Sequence, residues 1–218
     1  MKHIKKLDSC LIYDILEKMF IMKRLLLVLI LTFSFQTWTK ADDIKDFEIE
    51  GISVGDSLLD FFSKNQIENK GVYLYPNKEM KAGSFKSTKS TKFKKFDKIQ
   101  FHWMSKDKKY IIQSISADIY YGNNIKNCLK QRKIINKEIA NLFDNPKEDD
   151  WGKRVMENID PSLQTYAYQN IYWLKDGNII ISCRDYGQIK EKEKFVDYLS
   201  IMIDSKFFEN WLNNKAWK

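Results

Sequence analysis

The chain is poor in the residues from which most recognisable active sites are built. Its 218 residues include only two histidines, three cysteines, eight glycines and three prolines. Glycine patterns that bind phosphates or dinucleotides are missing, and so is a closely spaced redox pair of cysteines. These absences argue against the common nucleotide-binding and redox enzymes. We therefore predict no catalytic residue, no cofactor site and no metal site.

A hydrophobic run long enough to cross a membrane is missing as well. A spanning helix needs about 20 apolar residues, and the apolar run from Leu25 to Phe35 is well short of that. It follows a methionine and the basic pair Lys23 and Arg24, which is the arrangement of a secretory signal peptide. The pattern therefore predicts export rather than a membrane span.

The residues after this run predict the cleavage site. Thr39 and Ala41 place small residues at the two positions that a signal peptidase reads, and Asp42 opens a polar segment. We predict a signal peptide over residues 22–41, cut between Ala41 and Asp42, and a periplasmic or secreted protein. Because Lys40 is unusual beside a cleavage site, the alternative is an uncleaved signal that anchors the protein in the inner membrane.

Residues 1–21 need a separate explanation. Their apolar residues follow helical spacing, which would suit an amphipathic helix at a membrane surface. A complete signal peptide that begins at Met22 favours another interpretation, in which translation starts there and residues 1–21 are a leader outside the protein. Residues 42–218 then form a single exported α+β domain, which is long enough to bury a core.

The net charge does not point to a nucleic-acid partner. The chain carries +8, but residues 1–41 hold seven basic and three acidic side chains, which leaves the remainder at only +4. Residues 78–98 concentrate lysines among aromatic residues, a composition that could bind phosphate or anionic lipid. We favour a solvated loop there, because such runs also keep neighbouring strands from aggregating.

The predicted export bears on whether the cysteines are bridged or free. Cys10 lies in the leader, so Cys128 and Cys183 would reach an oxidising compartment as an even pair, which indicates a disulfide. In the chain-entropy description, closing the loop between them would stabilise the fold by about 4 kcal/mol. The alternative is two buried free thiols, since cysteine is among the most buried residue types.

Hydrophobic periodicity predicts an α+β fold, a single domain with a mainly antiparallel sheet built from hairpins and with helices packed on one face. The pattern contains two hairpins, a strand over residues 195–203, and helices that start at Ser57, Asn124 and Ser205. One hairpin has Ile99, Phe101 and Trp103 in alternation with polar residues, and returns through Ile111, Ile115, Ala117 and Ile119.

The second hairpin predicts where Cys183 points. Asp176-Gly177 suits a two-residue turn with positive φ at both positions, which would set Leu174 opposite Ile179. Cys183 then shares a face with Ile179, and helical spacing over residues 124–143 turns Cys128 inward. Both cysteines are thus expected at one interface between helix and sheet.

Three further features are predicted to be structural. His102 alternates with apolar neighbours in the first hairpin and is expected on the sheet surface, although a general base for a hydrolase is the alternative. The acidic cluster of residues 148–150 falls in the polar connection 144–161 and is expected in an exposed loop without metal. The many tyrosines and tryptophans are expected mostly in packing, with a ligand cleft as the alternative.

One short motif carries a family resemblance. Gly51-Ile-Ser-Val-Gly55-Asp-Ser57, which enters a predicted helix, resembles the entry motif of small envelope lipoproteins of the SmpA/OmlA kind. The resemblance implies an accessory role in outer-membrane assembly. This chain differs from that pattern because no cysteine for lipid attachment follows the h-region.

The sequence as a whole favours a non-enzymatic exported protein of the periplasm or envelope, which binds an unidentified envelope protein or a small ligand. We expect membrane contact only if the signal segment is retained. A periplasmic hydrolase of unrecognised type and a membrane-tethered protein are the alternatives.

Overall fold

One antiparallel sheet organises the part of the chain that the structure describes. The computed structural model describes residues 43–69, 72–86, 93–143 and 146–218. The predicted leader, the signal peptide and the Ala41–Asp42 cleavage site lie outside these residues. The sheet has eight strands in the order β1-β2-β3-β4-β8-β7-β6-β5, so two consecutive four-strand meanders meet through the central pair β4 and β8.

The strands and helices have the following bounds. The strands are β1 (Tyr73–Leu74), β2 (Met80–Lys86), β3 (Lys98–Met104), β4 (Ile112–Gly122), β5 (Lys147–Val155), β6 (Tyr166–Leu174), β7 (Gly177–Asp185) and β8 (Asp197–Ser205). The α-helices are α1 (Lys64–Asn69), α2 (Ile125–Leu142), α3 (Gln188–Lys192) and α4 (Lys206–Asn214), and two short 3-10 helices cover Ile44–Asp46 and Leu58–Asp60.

The two faces of the sheet differ in chemistry because side chains alternate along each strand. One face, here called the helix face, presents isoleucines, aromatic residues and Cys183 to α2 and to the N-terminal segment. The opposite face, here called the polar face, carries serines and charged residues. In β4 the two sets interleave, since Ile115 and Ala117 face the core while Ser114 and Ser116 face the other way.

Helix α2 is placed as its periodicity predicts. The side chain of Asn124 accepts a hydrogen bond from the N–H of Asn127 and caps the first turn. Cys128, Ile135 and Ile139 are buried on the inward stripe against the helix face. Cys128 and Cys183 form a disulfide with their Cα atoms 5.9 Å apart, so the predicted bridge is present in the structure.

The second hairpin is confirmed, but its predicted register is wrong by two residues. Leu174 pairs with Gly177 and Tyr172 with Ile179, so the loop is Lys175-Asp176 rather than Asp176-Gly177. Because side chains in a strand repeat every two residues, this shift leaves every side chain on its predicted face. Cys183 therefore still reaches α2.

Gly177 allows a close approach between two backbones rather than the predicted positive φ. It is absent from the residues with positive φ, and it pairs with Ser205 at the end of β8. A Cβ atom on Gly177 would lie 2.0 Å from the carbonyl oxygen of Asp204 and 2.9 Å from Cδ1 of Ile44. Glycine is needed there because two backbones approach more closely than any side chain permits.

We expect Gly177→Ala to lower the free energy of unfolding by about 2 kcal/mol, since the added methyl group meets backbone that cannot rotate away. Urea unfolding measures this loss. Gly152→Ala is the comparison, because Gly152 has φ 59° and nothing lies within 4 Å of its Cβ position. An alanine there meets no steric clash and costs only the strain of a left-handed backbone conformation. A Gly177→Ala protein as stable as the parent would contradict the close approach.

Two predicted loops contain strands. Residues 80–86, expected in the mobile lysine-rich loop, form β2 between β1 and β3, with Met80, Ala82 and Phe85 buried. Residues 147–155, expected in the polar connection, form the edge strand β5. Its exposed, charged side chains concealed the strand pattern, and charge on an edge strand discourages pairing with other chains.

The predicted α+β class and the antiparallel sheet built from hairpins are confirmed, and helix α2 lies on the predicted face. The C-terminal helix α4 instead packs over one end of the polar face. Its Phe208 and Trp211 join Tyr75, Met80 and Ala82 in a second hydrophobic cluster. Among the described helices, none has the length and apolar composition to cross a membrane.

Candidate functional site

Strand pairing arranges the polar face in rows that run across the sheet. One row, beneath α4, contains His102, Ser114 and Asp204, which are successive partners on β3, β4 and β8. A second row contains Lys98, Asp118, Ser200 and Ser182 on β3, β4, β8 and β7. A third row, at the far end from α4, contains Tyr120, Tyr198 and Arg184 on β4, β8 and β7.

The second row is joined by hydrogen bonds. The ammonium group of Lys98 lies 3.1 Å from one carboxylate oxygen of Asp118, and the hydroxyl of Ser200 donates to the other at 2.8 Å. The hydroxyls of Ser200 and Ser116 lie 3.1 Å apart. Asp118 is buried and therefore needs both partners, while the Lys98 side chain is 27% exposed. The row presents a fixed pair of charges at the surface of the sheet.

A cavity of about 390 Å³ opens where the second and third rows meet. We call it the tyrosine pocket, and its size falls within the usual range for small-molecule sites. Its lining residues come from β3, β4, the segment before β8 and β8 itself: Lys98, Asp118, Tyr120, Tyr186, Lys194, Phe195, Val196 and Tyr198.

The aromatic rings of the pocket form an angled wall. The rings of Tyr120 and Tyr198 meet at 88° with centroids 6.3 Å apart. Tyr186 lies 5.1 Å from Phe195 at 44° and 6.2 Å from Tyr198 at 36°. Tyr120 and Phe195 are each 42% exposed, so both have ring surface available to a ligand. No pair within this described wall forms a parallel slot.

The hydroxyl groups of the wall are hydrogen-bond donors at neutral pH. Burial raises the pKa of Tyr198 above its ordinary value, and the neighbouring Tyr186 raises it further against the opposing effect of Arg184. Burial likewise raises the pKa of Tyr120. Both phenols are therefore neutral across the physiological range.

Lys194 gives the rim of the pocket a cation without a partner. Its backbone has φ 69°, a left-handed conformation that is unusual for a residue other than glycine. Within the described ranges, it forms no ion pair. Together with Lys98 and Asp118 it gives the pocket lining one net positive charge.

A second cavity shares Tyr186 with the tyrosine pocket. Its volume is about 440 Å³, and Tyr186 lines both cavities. The charged residues of its lining are Asp185 and Glu191, and burial raises the pKa of Asp185. The two cavities thus share one aromatic residue and differ in the sign of their lining charge.

His102 does not lie on an open surface, so its predicted exposure is wrong. Helix α4 covers it, with the Phe208 ring centroid 4.7 Å away, and the residue is 6% exposed. Burial lowers the pKa of His102 to about 4, and Lys98 adds to the effect. Its Nε2 atom lies 3.1 Å from Nε2 of Gln100, and Nδ1 finds no partner among the described residues. Ser114 is the neighbour of His102 in this row, and its hydroxyl hydrogen-bonds to Asp204 rather than to the imidazole.

The acidic cluster of residues 148–150 is divided between the two faces because it lies in β5. Glu148 accepts hydrogen bonds from Asn170 at 2.7 Å and Tyr172 at 3.2 Å on the helix face. Asp149 accepts from the indole of Trp173 on the opposite face. The three carboxylates therefore do not converge, and no metal-binding cluster is found within the described residues.

The tyrosine pocket was missed by sequence reasoning, although one signal for it was present. The alternation in β4 placed serines opposite the buried isoleucines, and this polar series continues through Asp118 to Tyr120. Its convergence with Tyr198 depends on the pairing of β4 with β8, which is distant in sequence. Local patterns carry no information about such a partner.

Comparison with known proteins adds no identification. The chain matches no protein-family model, no curated protein and no solved structure. The lipoprotein resemblance of residues 51–57 therefore rests on that short motif alone. Function has to be argued from the pocket and the disulfide.

Proposed function

We propose that this chain is an exported periplasmic or envelope protein, non-enzymatic, that binds a small polar ligand in the tyrosine pocket. The observation that carries the proposal is the convergence of an ion pair, an unpaired lysine and a partly exposed aromatic wall on one cavity. Apolar surface with a few fixed polar groups is the usual composition of a ligand site. Four of the pocket's lining residues belong to paired strands, which hold them in place without a ligand: Lys98, Asp118, Tyr120 and Tyr198.

Binding fits the pocket better than catalysis. The hydroxyl groups around it belong to tyrosines and to Ser200, whose proton is engaged by Asp118 at 2.8 Å. The one described histidine lies under α4 in another row. The hydroxyl with an adjacent carboxylate is that of Ser200, which is buried and lies outside the pocket lining, so a ligand in the pocket does not reach it.

The export part of the proposal rests on two independent features. The Cys128–Cys183 disulfide favours an oxidising compartment outside the cytoplasm, because reducing systems in the cytosol keep thiols unpaired. Residues 22–41 supply the corresponding signal-peptide pattern. A cleaved protein would begin at Asp42.

Ligand binding can be tested with a pocket that has been filled. Val196 lines the tyrosine pocket, so Val196→Trp should occupy its volume while the parent protein stays open. We expect the parent to retain small molecules from an envelope extract in native mass spectrometry, and the variant to lose at least nine-tenths of that signal. Equal retention by a folded variant, or no retained molecule in the parent, would count against the proposal.

Processing predicts a specific mass for the protein isolated from its own cell. Cleavage at the predicted site gives a chain that starts at Asp42, and reduction of the disulfide adds the mass of two hydrogen atoms. Intact-mass spectrometry with and without reductant measures both. A retained segment before Asp42, combined with resistance to carbonate extraction from membranes, would replace the exported form with the anchored alternative.

A further inference from the structure

We propose that the ligand of the tyrosine pocket is an acidic saccharide, a sugar ring or short chain of rings that carries a carboxylate. This inference rests on the proposed binding function and names its ligand class. Ring geometry, charge and the chemistry of the donors each support it separately.

The wall of the pocket suits a puckered ring better than a flat one. A planar aromatic ligand is held best between two parallel ring faces, and Tyr120 and Tyr198 stand nearly perpendicular instead. The partly exposed rings of Tyr120 and Phe195 each offer a single apolar face. The C–H groups on one side of a sugar ring form such a one-sided contact, while its hydroxyl groups remain free to point elsewhere.

The floor of the pocket has donors and acceptors for those hydroxyl groups. The ammonium group of Lys98 has three N–H donors and gives one to Asp118 at 3.1 Å, so others can serve a ligand. The neutral phenol of Tyr120 can donate and accept, whereas the hydroxyl of Tyr198 hydrogen-bonds to Tyr186 and offers a ligand only its remaining capacity. Alternating donors and acceptors of this kind match a polyhydroxylated molecule rather than an apolar one.

The net positive charge of the pocket lining favours a ligand that carries an acidic group. Asp118 offsets Lys98, whereas Lys194 has no ion-pair partner in the described segments. A carboxylate bound near Lys194 would neutralise this exposed ammonium group through a charge-assisted hydrogen bond. The second cavity, which is lined by Asp185 and Glu191, would repel that carboxylate and so favour the entry of the acidic ring into the tyrosine pocket.

The size of the site agrees with one or two sugar rings. A cavity of about 390 Å³ exceeds the volume of a single ring, and the second cavity that shares Tyr186 leaves room for a chain to continue. Gln164 and Gln188 line that second cavity and can hydrogen-bond uncharged hydroxyl groups.

Calorimetric titration of the purified oxidised protein tests this with defined probes: an aldobiouronate made of one galacturonate and one galactose ring, the uncharged galactose disaccharide, acetate, and adenosine monophosphate as a planar anion. We expect the aldobiouronate to bind at least tenfold more tightly than any of the other three. Lys194→Gln should remove most of the preference for the aldobiouronate over the neutral disaccharide and leave affinity for the neutral one unchanged. Lys192→Gln, an exposed lysine outside the lining, is the matched control and should change neither affinity.

Four results would overturn the inference, and they separate it from the proposed function. Equal affinity for the charged and neutral disaccharides, or a preference that survives Lys194→Gln, would refute the role of the acidic group. Tighter binding of the nucleotide, lost in Val196→Trp, would refute the saccharide and leave the binding function standing. Failure of every probe would refute the saccharide, and retention of an extract molecule by the parent alone would show that binding itself survives.

Discussion

Replacement of both bridged cysteines by alanine should lower the free energy of unfolding by about 4 kcal/mol. Cys128 and Cys183 are 55 residues apart, so the bridge closes a loop that contains most of α2, all of β5 and β6, and most of β7. Without the bridge, the two ends of this loop can move apart in the unfolded chain, which raises the conformational entropy of the unfolded state. A domain of ordinary stability, about 5 to 15 kcal/mol, would lose a large share of it.

Alanine is the appropriate replacement because both sulfur atoms are buried in the core between α2 and the sheet. Serine would leave hydroxyl groups without partners in an apolar layer and would add a cost unrelated to the bridge. Single replacements would leave a free thiol. The double variant therefore isolates the cross-link together with a small loss of packing.

Guanidinium unfolding of the parent and the double variant, each with and without reductant, measures the effect. We expect reductant to move the parent midpoint to near that of the variant and to leave the variant unchanged. A Cys10→Ala background removes the third cysteine of the full chain as an alternative thiol. If the oxidised parent and the double variant unfold at the same midpoint, the bridge makes no contribution to stability.

The parts of this fold that could be predicted from sequence are those whose signals are local. Alternation over Ile99 to Trp103 is sufficient for a strand, and the inward stripe of α2 is sufficient to turn Cys128 towards the sheet. The disulfide could be predicted because local patterns turned both cysteines towards the same interface between helix and sheet. The turn at Asp176 was predicted wrongly, but a register error of two residues keeps each side chain on its predicted face of the sheet.

The missed features depend on partners distant in sequence. Strand β2 is short of large apolar residues, since Ala82, Gly83 and Ser84 occupy its centre, and its stability comes from the neighbouring β3. The burial of His102 comes from Phe208, more than a hundred residues later. The tyrosine pocket requires β4 beside β8, a pairing that no local pattern specifies.

Asp204→Asn should raise stability at neutral pH by about 3 kcal/mol, an unusual direction for the loss of a buried hydrogen-bonding residue. Asp204 is 6% exposed beside Ser114, and its Oδ1 atom has no hydrogen-bond partner in the described structure. Burial raises its pKa from 3.8 to about 6, helped by the charge of Glu209 and opposed by a hydrogen bond from Ser114. At pH 7 the folded protein therefore holds an ionised carboxylate in an unfavourable place, and asparagine keeps the shape without the charge.

The pH dependence of this effect has a definite sign. A raised folded-state pKa contributes stability that is fully present below the unfolded value of 3.8 and is lost as the pH rises through about 6. The stability gained by Asp204→Asn over the parent should therefore grow between pH 4 and pH 6 and level off above. Below pH 4 the parent carboxyl is protonated, and the two proteins should differ little.

His102, in the same row of the polar face, has the opposite effect on the pH dependence of stability. Its pKa is lowered from 6.5 to about 4, so its contribution is fully present above pH 6.5 and is lost as the pH falls through about 4. The two groups therefore give slopes of opposite sign over nearly the same pH range. In the parent these slopes offset each other, and replacement of one group should expose the slope of the other.

Urea unfolding at half-unit steps from pH 4 to pH 8 measures both slopes as differences from the parent. Asp204→Asn should become relatively more stable as the pH rises, His102→Gln should become relatively less stable, and the double variant should follow the parent within about 0.5 kcal/mol per pH unit. Asp176→Asn, which removes one negative charge from an exposed residue near the start of α4, is the matched control. A flat difference for Asp204→Asn across this range would show that the buried carboxyl keeps its ordinary pKa, and that its unpaired oxygen is hydrated instead.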